Sequence, residues 1–97
     1  MSVYVLSEVE IKDPVRGDAY RTIAARTIEQ YGGRYVVRAG KKQVLEGTWS
    51  EHEAVVIVEF PDEETAKRWY TSPEYAEALA IRQTALTRRL VLLDGVK

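Results

Sequence analysis

Hydrophobic and polar residues alternate along Val3–Ile11, which predicts a β-strand with two unlike faces. One face is mostly apolar and suits a protein core, whereas the other mixes apolar and charged side chains. The apolar face holds Val3, Val5, Ser7, Val9 and Ile11, and the mixed face holds Tyr4, Leu6, Glu8 and Glu10.

Apolar residues recur at helical spacing over residues 14–31, which predicts a helix after this strand. Asp13 suits the N-cap, Pro14 suits the first turn, and Gly32 suits a left-handed residue that ends the helix. One stripe of this helix is predicted to be buried. It consists of Tyr20, Ile23, Ala24, Thr27, Ile28 and Tyr31.

Two further strands are predicted over residues 34–39 and Ala54–Phe60. Regular alternation in the first of them would put Tyr35, Val37 and Ala39 on one face and Arg34, Val36 and Arg38 on the other. The connection over residues 40–53 is long for a hairpin loop, and we expect a short edge strand at Val44 and Leu45 within it.

The second half of the chain predicts a split helix and a last strand. Pro61 ends the preceding strand, and Asp62 caps a helix that would bury Ala66, Trp69 and Tyr70. Ser72 and Pro73 then begin another helix. Its inward stripe would hold Tyr75, Ala78, Leu79, Arg82 and Leu86, and the last strand would cover residues 90–93.

The element order β-α-β-β-α-β predicts one ferredoxin-like α+β domain over residues 1–97, with helices on one face of a four-stranded antiparallel sheet. Strands 54–60 and 90–93 are apolar on both faces, which is typical of strands buried on both sides. Because the helices cover only one side, we expect a homodimer packed sheet on sheet, a dimeric α+β barrel.

The amino-acid composition disfavours several classes of function. Fourteen Lys and Arg against 15 Asp and Glu give a net charge of −1, which disfavours a nucleic-acid or membrane-surface binder. The chain has no Cys and a single His, which disfavours a transition-metal site and leaves open a carboxylate site for a hard cation. We expect no metal and no cofactor. The start of the chain lacks the features of a signal peptide, and we expect a cytoplasmic protein.

Residues 55–75 (VVIVEFPDEETAKRWYTSPEY), with an Arg seven positions after the last Tyr, resemble the bacterial family called domain of unknown function 1330. Four shorter pieces agree with this pattern across nearly the whole chain. They are Asp13-Pro14, residues 32–35 (GGRY), residues 46–49 (EGTW) and residues 94–96 (DGV). The resemblance implies a dimeric ferredoxin-like α+β barrel, and it implies no particular reaction.

Arg82 is the unusual member of its stripe, because it is a charge on an apolar face. It could bind an anionic ligand through its guanidinium group. The alternative, which we favour, is a structural ion pair with a carboxylate such as Glu59.

The remaining candidates for a ligand cavity are His52, Trp49, Tyr4, Glu8 and Arg38. His52 could act as a general base, although a solvated loop residue between Glu51 and Glu53 is the simpler interpretation. Trp49 is a candidate for an interface or for the lid of a cleft. The other three, and also Glu10, lie on mixed strand faces and would line a cavity enclosed by the dimer.

Two functions follow from these features. The first is binding of a small, anionic molecule by a homodimer, which extends to a cofactor-independent enzyme. The alternative is a non-catalytic structural or regulatory module, in which the same residues serve packing.

Overall fold

Four strands and three helices make up the protein, whose computed structural model describes residues 2–38, 40–50 and 52–96. The order of the elements is β-α-β-β-α-α-β. Their bounds are β1 Val3–Ile11, α1 Pro14–Gln30, β2 Arg34–Arg38, β3 Ala54–Phe60, α2 Glu63–Tyr70, α3 Pro73–Ala85 and β4 Leu86–Asp94.

The strands form one antiparallel sheet in the order β2-β3-β1-β4. The strand β1 therefore lies in the interior of the sheet, and β2 and β4 are its edges. This is the ferredoxin-like α+β arrangement, and the predicted fold class is confirmed.

Burial along β1 follows the predicted alternation. Val3, Val5, Ser7 and Val9 are buried beneath the helices, whereas the residues between them are partly exposed. The sheet thus has a helix-facing side, which belongs to the core, and an open side. We use these two names below.

Each helix begins at a residue whose side chain accepts hydrogen bonds from the first turn. Asp13 Oδ1 accepts from the backbone N–H groups of Val15 and Arg16, at 3.1 and 3.2 Å. Asp62 and Ser72 cap α2 and α3 in the same way, at 2.7 and 3.1 Å. These contacts satisfy N–H groups that have no partner inside the helix.

The aromatic residues of the second half of the chain pack around Trp69. Its ring lies 5.3 Å from that of Phe60 and 4.2 Å from that of Tyr75, between centroids. Its indole N–H donates to the buried Thr27 hydroxyl at 3.0 Å, which joins α2 to α1. Trp69 is buried as predicted, whereas the prediction for Tyr70 is wrong, because 42% of that residue is exposed.

The last strand is longer than predicted. The helix α3 ends at Ala85, whose carbonyl accepts hydrogen bonds from the backbone N–H groups of Lys12 and Asp13. Leu86 therefore belongs to β4 rather than to the helical stripe. Pairing with β1 extends from Leu86 to Asp94, so Arg88 and Arg89 are strand residues that point to opposite sides.

A β-bulge in β2 changes the predicted faces of that strand. Tyr35 pairs with Val58 and Val37 pairs with Ile57, so Val36 is an extra residue in the ladder. Tyr35 and Arg38 consequently share the helix-facing side. The prediction that Arg38 lies on the same side as Arg34 is wrong for this reason, and Ala39 lies outside the described residues.

The segment between β2 and β3 is irregular where the structure describes it. Residues 40–50 contain no strand, so the expected edge strand at Val44 and Leu45 is not formed. Leu45 is 87% exposed. Among the described residues, no helix is long and apolar enough to cross a membrane.

The turn after α1 gives a stability prediction. Gly32 is left-handed, with φ of 83°, and the Gly33 N–H donates to the Ile28 carbonyl at 2.8 Å. A Cβ at Gly33 would lie 2.7 Å from Phe60 Cε1, and Phe60 is fully buried. We expect Gly33→Ala to lower the free energy of unfolding by about 1–3 kcal/mol through overpacking, measured by urea denaturation.

Gly40→Ala is the matched control, because a Cβ there would meet nothing within 4 Å. Equal urea midpoints for the two variants would show that Phe60 yields to the added methyl group.

Candidate functional site

A cavity of about 110 Å³ lies between the helix-facing side of the sheet and α1. Most of its wall is aliphatic and comes from all four strands. Representative residues are Val5 and Val9 of β1, Val56 of β3 and Leu90 of β4, with Ala24 and Ile28 of α1 on the opposite side. The cavity therefore lies within one protomer, and most of its wall is hydrocarbon.

Tyr20 and Arg88 form the polar end of this cavity, and both bond to the buried Tyr75. The two phenolic oxygens are 2.5 Å apart. Arg88 Nη2 donates to the Tyr75 oxygen at 2.8 Å, and Arg88 Nη1 donates to the Tyr20 oxygen. Three elements thus converge on one hydrogen-bonded group, which we call the Tyr–Tyr–Arg cluster.

Local structure explains how each member reaches the cluster. Tyr20 belongs to the buried stripe of α1, and Tyr75 lies in the first turn of α3, directly after its Ser72 cap. Arg88 points to the helix-facing side because it lies two residues from both Leu86 and Leu90 along β4, on the same side of the strand. A guanidinium group in this layer is stabilised only when its N–H groups are bonded, and the phenols provide the acceptors.

Burial controls the protonation of the cluster. Burial raises the pKa of Tyr75 far above that of an exposed tyrosine, so the phenol is neutral at physiological pH. For Arg88, burial acts to lower the pKa, but Tyr20 and Tyr75 outweigh it and the pKa is raised overall. The cluster therefore carries one positive charge.

Two further arginines line the same cavity. The Arg38 guanidinium lies over the Tyr35 ring, 4.4 Å from its centroid, and burial raises the pKa of Tyr35. Arg21 forms an ion pair with Asp18, which lies outside the cavity, at 3.1 Å. Among the described residues that line the cavity, none is Asp or Glu, so this part of the wall is cationic.

Of the six residues proposed from the sequence, the structure places only Arg38 at this cavity. Tyr4 and Glu8 lie on the open side of the sheet. The Tyr4 hydroxyl donates to Glu59 Oε2 at 3.4 Å, and Glu8 Oε1 accepts from Arg89 at 2.8 Å. A role for Tyr4 and Glu8 in ligand binding stays a prediction that depends on a second copy of the chain.

Arg82 does not form the expected ion pair with Glu59. Glu59 instead accepts from Arg34 Nε at 2.6 Å, and hydrogen bonds from Ser2 and Arg34 lower the pKa of Glu59. The Nε atom of Arg82 is buried and has no hydrogen-bond partner among the described residues. Arg82 lies on α3, away from the cavity wall.

Trp49 and His52 lie in the long connection before β3. Both are exposed, and Lys42 Nζ lies 5.6 Å from the centroid of a Trp49 ring. Lys42 also donates to the Ser50 carbonyl at 2.7 Å, and the His52 backbone N–H donates to the Ser50 hydroxyl at 3.2 Å. Glu51, expected beside His52, is outside the described residues.

The described part of the chain contains no group of three or more His, Asp or Glu side chains that could hold a metal ion. The cavity itself offers guanidinium and phenol groups, which donate hydrogen bonds and stabilise negative charge.

Arg88 was not among the site residues predicted from the sequence. The signal was present, because Leu86, Arg88, Leu90 and Leu92 alternate with polar and apolar neighbours at the period of a strand. Tyr20 and Tyr75 lie in buried stripes as predicted, but no local sequence pattern indicates that they meet.

The sequence profile of the domain of unknown function 1330 (DUF1330) matches residues 2–96. The chain belongs to the DUF1330 family. No curated protein matches this DUF1330 chain.

Solved structures similar to this DUF1330 protein share its fold. A protein of unknown function from Rhodopseudomonas palustris is 25% identical, with a TM-score of 0.81, and the match covers 99% of this chain and 83% of that one. SnoaB, a cofactor-independent oxygenase from Streptomyces nogalater, is 13% identical, with a TM-score of 0.71 and coverage of 99% and 94%. A dimeric protein of unknown function with a ferredoxin-like fold from Bacteroides fragilis is 16% identical, with a TM-score of 0.58 and coverage of 97% and 96%.

The Tyr–Tyr–Arg cluster predicts that two adjacent arginines of this DUF1330 protein differ in their contribution to stability. Arg88→Met removes the guanidinium group that donates hydrogen bonds to two buried phenols. We expect this change to lower the free energy of unfolding by about 1–3 kcal/mol. Arg89→Met removes only a surface ion pair with Glu8, and we expect a loss of less than about 1 kcal/mol. Urea denaturation at pH 7 measures both, and equal losses would contradict the assignment.

Proposed function

We propose that this DUF1330 protein is a homodimer that binds a small, largely apolar molecule in the cavity of each protomer. The observation that carries the proposal is a cavity with aliphatic walls and a few convergent polar groups at one end, the usual composition of a ligand site. The proposal extends to turnover of the bound molecule without a cofactor. The similarity in fold to SnoaB, itself a cofactor-independent oxygenase, supports that extension.

A non-catalytic module is the second candidate. It is favoured by the mutual hydrogen bonds of Tyr20, Tyr75 and Arg88, which bind one another without a ligand. In that case the cluster would serve only to join α1, α3 and β4. For either candidate we propose a cytoplasmic location, in keeping with the absence of Cys.

The open side of the sheet supports the homodimer. An apolar stripe crosses all four strands, because Val37 pairs with Ile57, Ile57 with Leu6, and Leu6 with Val91. Val37 and Val91 are 37% and 44% exposed. A second copy packed sheet on sheet would bury this stripe and form a dimeric α+β barrel.

Two ion pairs flank the stripe, one on each side. Arg34 bonds to Glu59 and Arg89 bonds to Glu8, so each charge already has a partner within its own protomer. An identical surface can therefore approach the stripe without bringing unpaired like charges together. The similar protein from Bacteroides fragilis is described as dimeric, which supports a dimer of this chain.

The dimer gives a direct test. Leu6→Glu places a charge at the centre of the stripe, and we expect light scattering after size exclusion to report a monomer of 11.0 kDa instead of a dimer. Val15→Glu is the control, because Val15 is 79% exposed on α1, away from the sheet. A wild-type monomer, or a dimer that survives Leu6→Glu, would overturn sheet-on-sheet packing.

Native mass spectrometry of freshly purified protein tests the cavity. We expect a dimer that retains a small adduct in each protomer, and we expect Ala54→Leu to lose that adduct, because Ala54 lines the cavity. Ala76→Leu, on the exposed face of α3, should retain it. A bare dimer whose Val5 and Val56 methyl signals are unmoved by dissolved xenon would favour the non-catalytic module.

A further inference from the structure

We infer that the molecule bound in this cavity carries a carboxylate group, and that Arg88 and the Tyr20 hydroxyl are the groups that bind it. This inference rests on the proposed function, since it names the chemical class of the ligand. Three properties of the cavity lead to it: its charge, its supply of hydrogen-bond donors and its size.

The described wall of the cavity carries positive charge and contains no carboxylate. Among the described residues, the ion pairs include no partner for Arg88, whose observed contacts are with uncharged phenols. Arg38 adds a second guanidinium over Tyr35. A partly buried cation is stabilised by an anion at close range. A negatively charged ligand would therefore provide the counter-ion that the described wall lacks.

The Tyr–Tyr–Arg cluster has more hydrogen-bond donors than its internal contacts use. A guanidinium has five N–H groups and no acceptor, and each phenol has one hydrogen. The Tyr20–Tyr75 bond uses one of the two phenolic hydrogens, and Arg88 cannot accept the other. Tyr20 lines the cavity whereas Tyr75 is fully buried behind it, so donation from Tyr75 to Tyr20 leaves the Tyr20 hydrogen available to a ligand.

A site made only of donors suits a group made only of acceptors. An ionised carboxylate has two oxygens and no hydrogen, and it can accept from Tyr20 with one oxygen and from Arg88 with the other. A primary amide of the same shape presents an NH₂ group, which would face these donors unfavourably. Burial raises the pKa of Tyr75, and this keeps its hydrogen in place.

The size of the cavity limits the rest of the ligand. Its volume is about 110 Å³, below the 150 Å³ or so of an engineered cavity that holds benzene. A short hydrocarbon chain of about five carbons fits such a volume. A phosphate monoester would bring a larger, doubly charged group into an aliphatic wall, so a monocarboxylate is the better match.

Titration with pentanoate and pentanamide tests the inference, because the two probes have nearly the same shape and differ in charge and donors. Binding is followed by the methyl signals of the cavity residues in NMR spectra of the intact protein. We expect pentanoate to bind at least about tenfold more tightly than pentanamide. We expect Tyr20→Phe to weaken pentanoate binding by about tenfold and to leave pentanamide binding unchanged.

Tyr31→Phe is the matched control, since it removes a phenol that bonds to Glu74 on the surface, away from the cavity. It should leave both affinities unchanged. Tyr20→Phe keeps the ring that packs in the core, and Arg88→Met provides a second variant, in which the preference for pentanoate should disappear.

The outcomes separate this inference from the proposed function. Equal binding of pentanoate and pentanamide would overturn the carboxylate assignment and leave the cavity as a ligand site. Pentanoate binding that is insensitive to Tyr20→Phe would overturn the role of Tyr20. Failure of both probes to shift the cavity signals, together with no effect of xenon, would overturn the inference and the proposed function together.

Discussion

The structure depends on one partly buried guanidinium group. Arg88 lies in the layer between the sheet and the helices, where a charge is stable only if its N–H groups are bonded. Tyr20 of α1 and Tyr75 of α3 supply the acceptors, so the edge strand β4 is tied to both helices at one point. Trp69 packs on Tyr75 and donates to Thr27, which brings α2 into the same network.

The two sides of the sheet carry different chemistry on alternating residues. Arg88 points into the protomer, towards the cavity, and Arg89 points out of it, towards Glu8. The same division holds along β1, where Ser7 is buried and Leu6 belongs to the open stripe. The proposed ligand site and the proposed dimer surface can therefore change independently, because a substitution on one side does not alter the side chains on the other.

Local signals predicted the fold well and the site poorly. The strand alternation of β1 and the caps at Asp13, Asp62 and Ser72 depend on neighbours within four residues, and all were predicted correctly. Arg88 was missed because the helical stripe of α3 continues by chance through Leu86, which concealed the end of the helix. The meeting of Tyr20 and Tyr75 joins residues 55 positions apart, and no local pattern reports such a contact.

The bulge in β2 decides that Arg38 faces the cavity. The charge of the cavity therefore depends on the register of this strand. In unbroken alternation after Tyr35, Val37 would face the helices and Arg38 would face away. The accommodation of Val36 as an extra residue reverses this arrangement. Edge strands tolerate such shifts because they pair with a single neighbour. Two proteins with the same β2 sequence could therefore present opposite polarities to a ligand, which gives this fold a way to diverge in specificity without a change in composition.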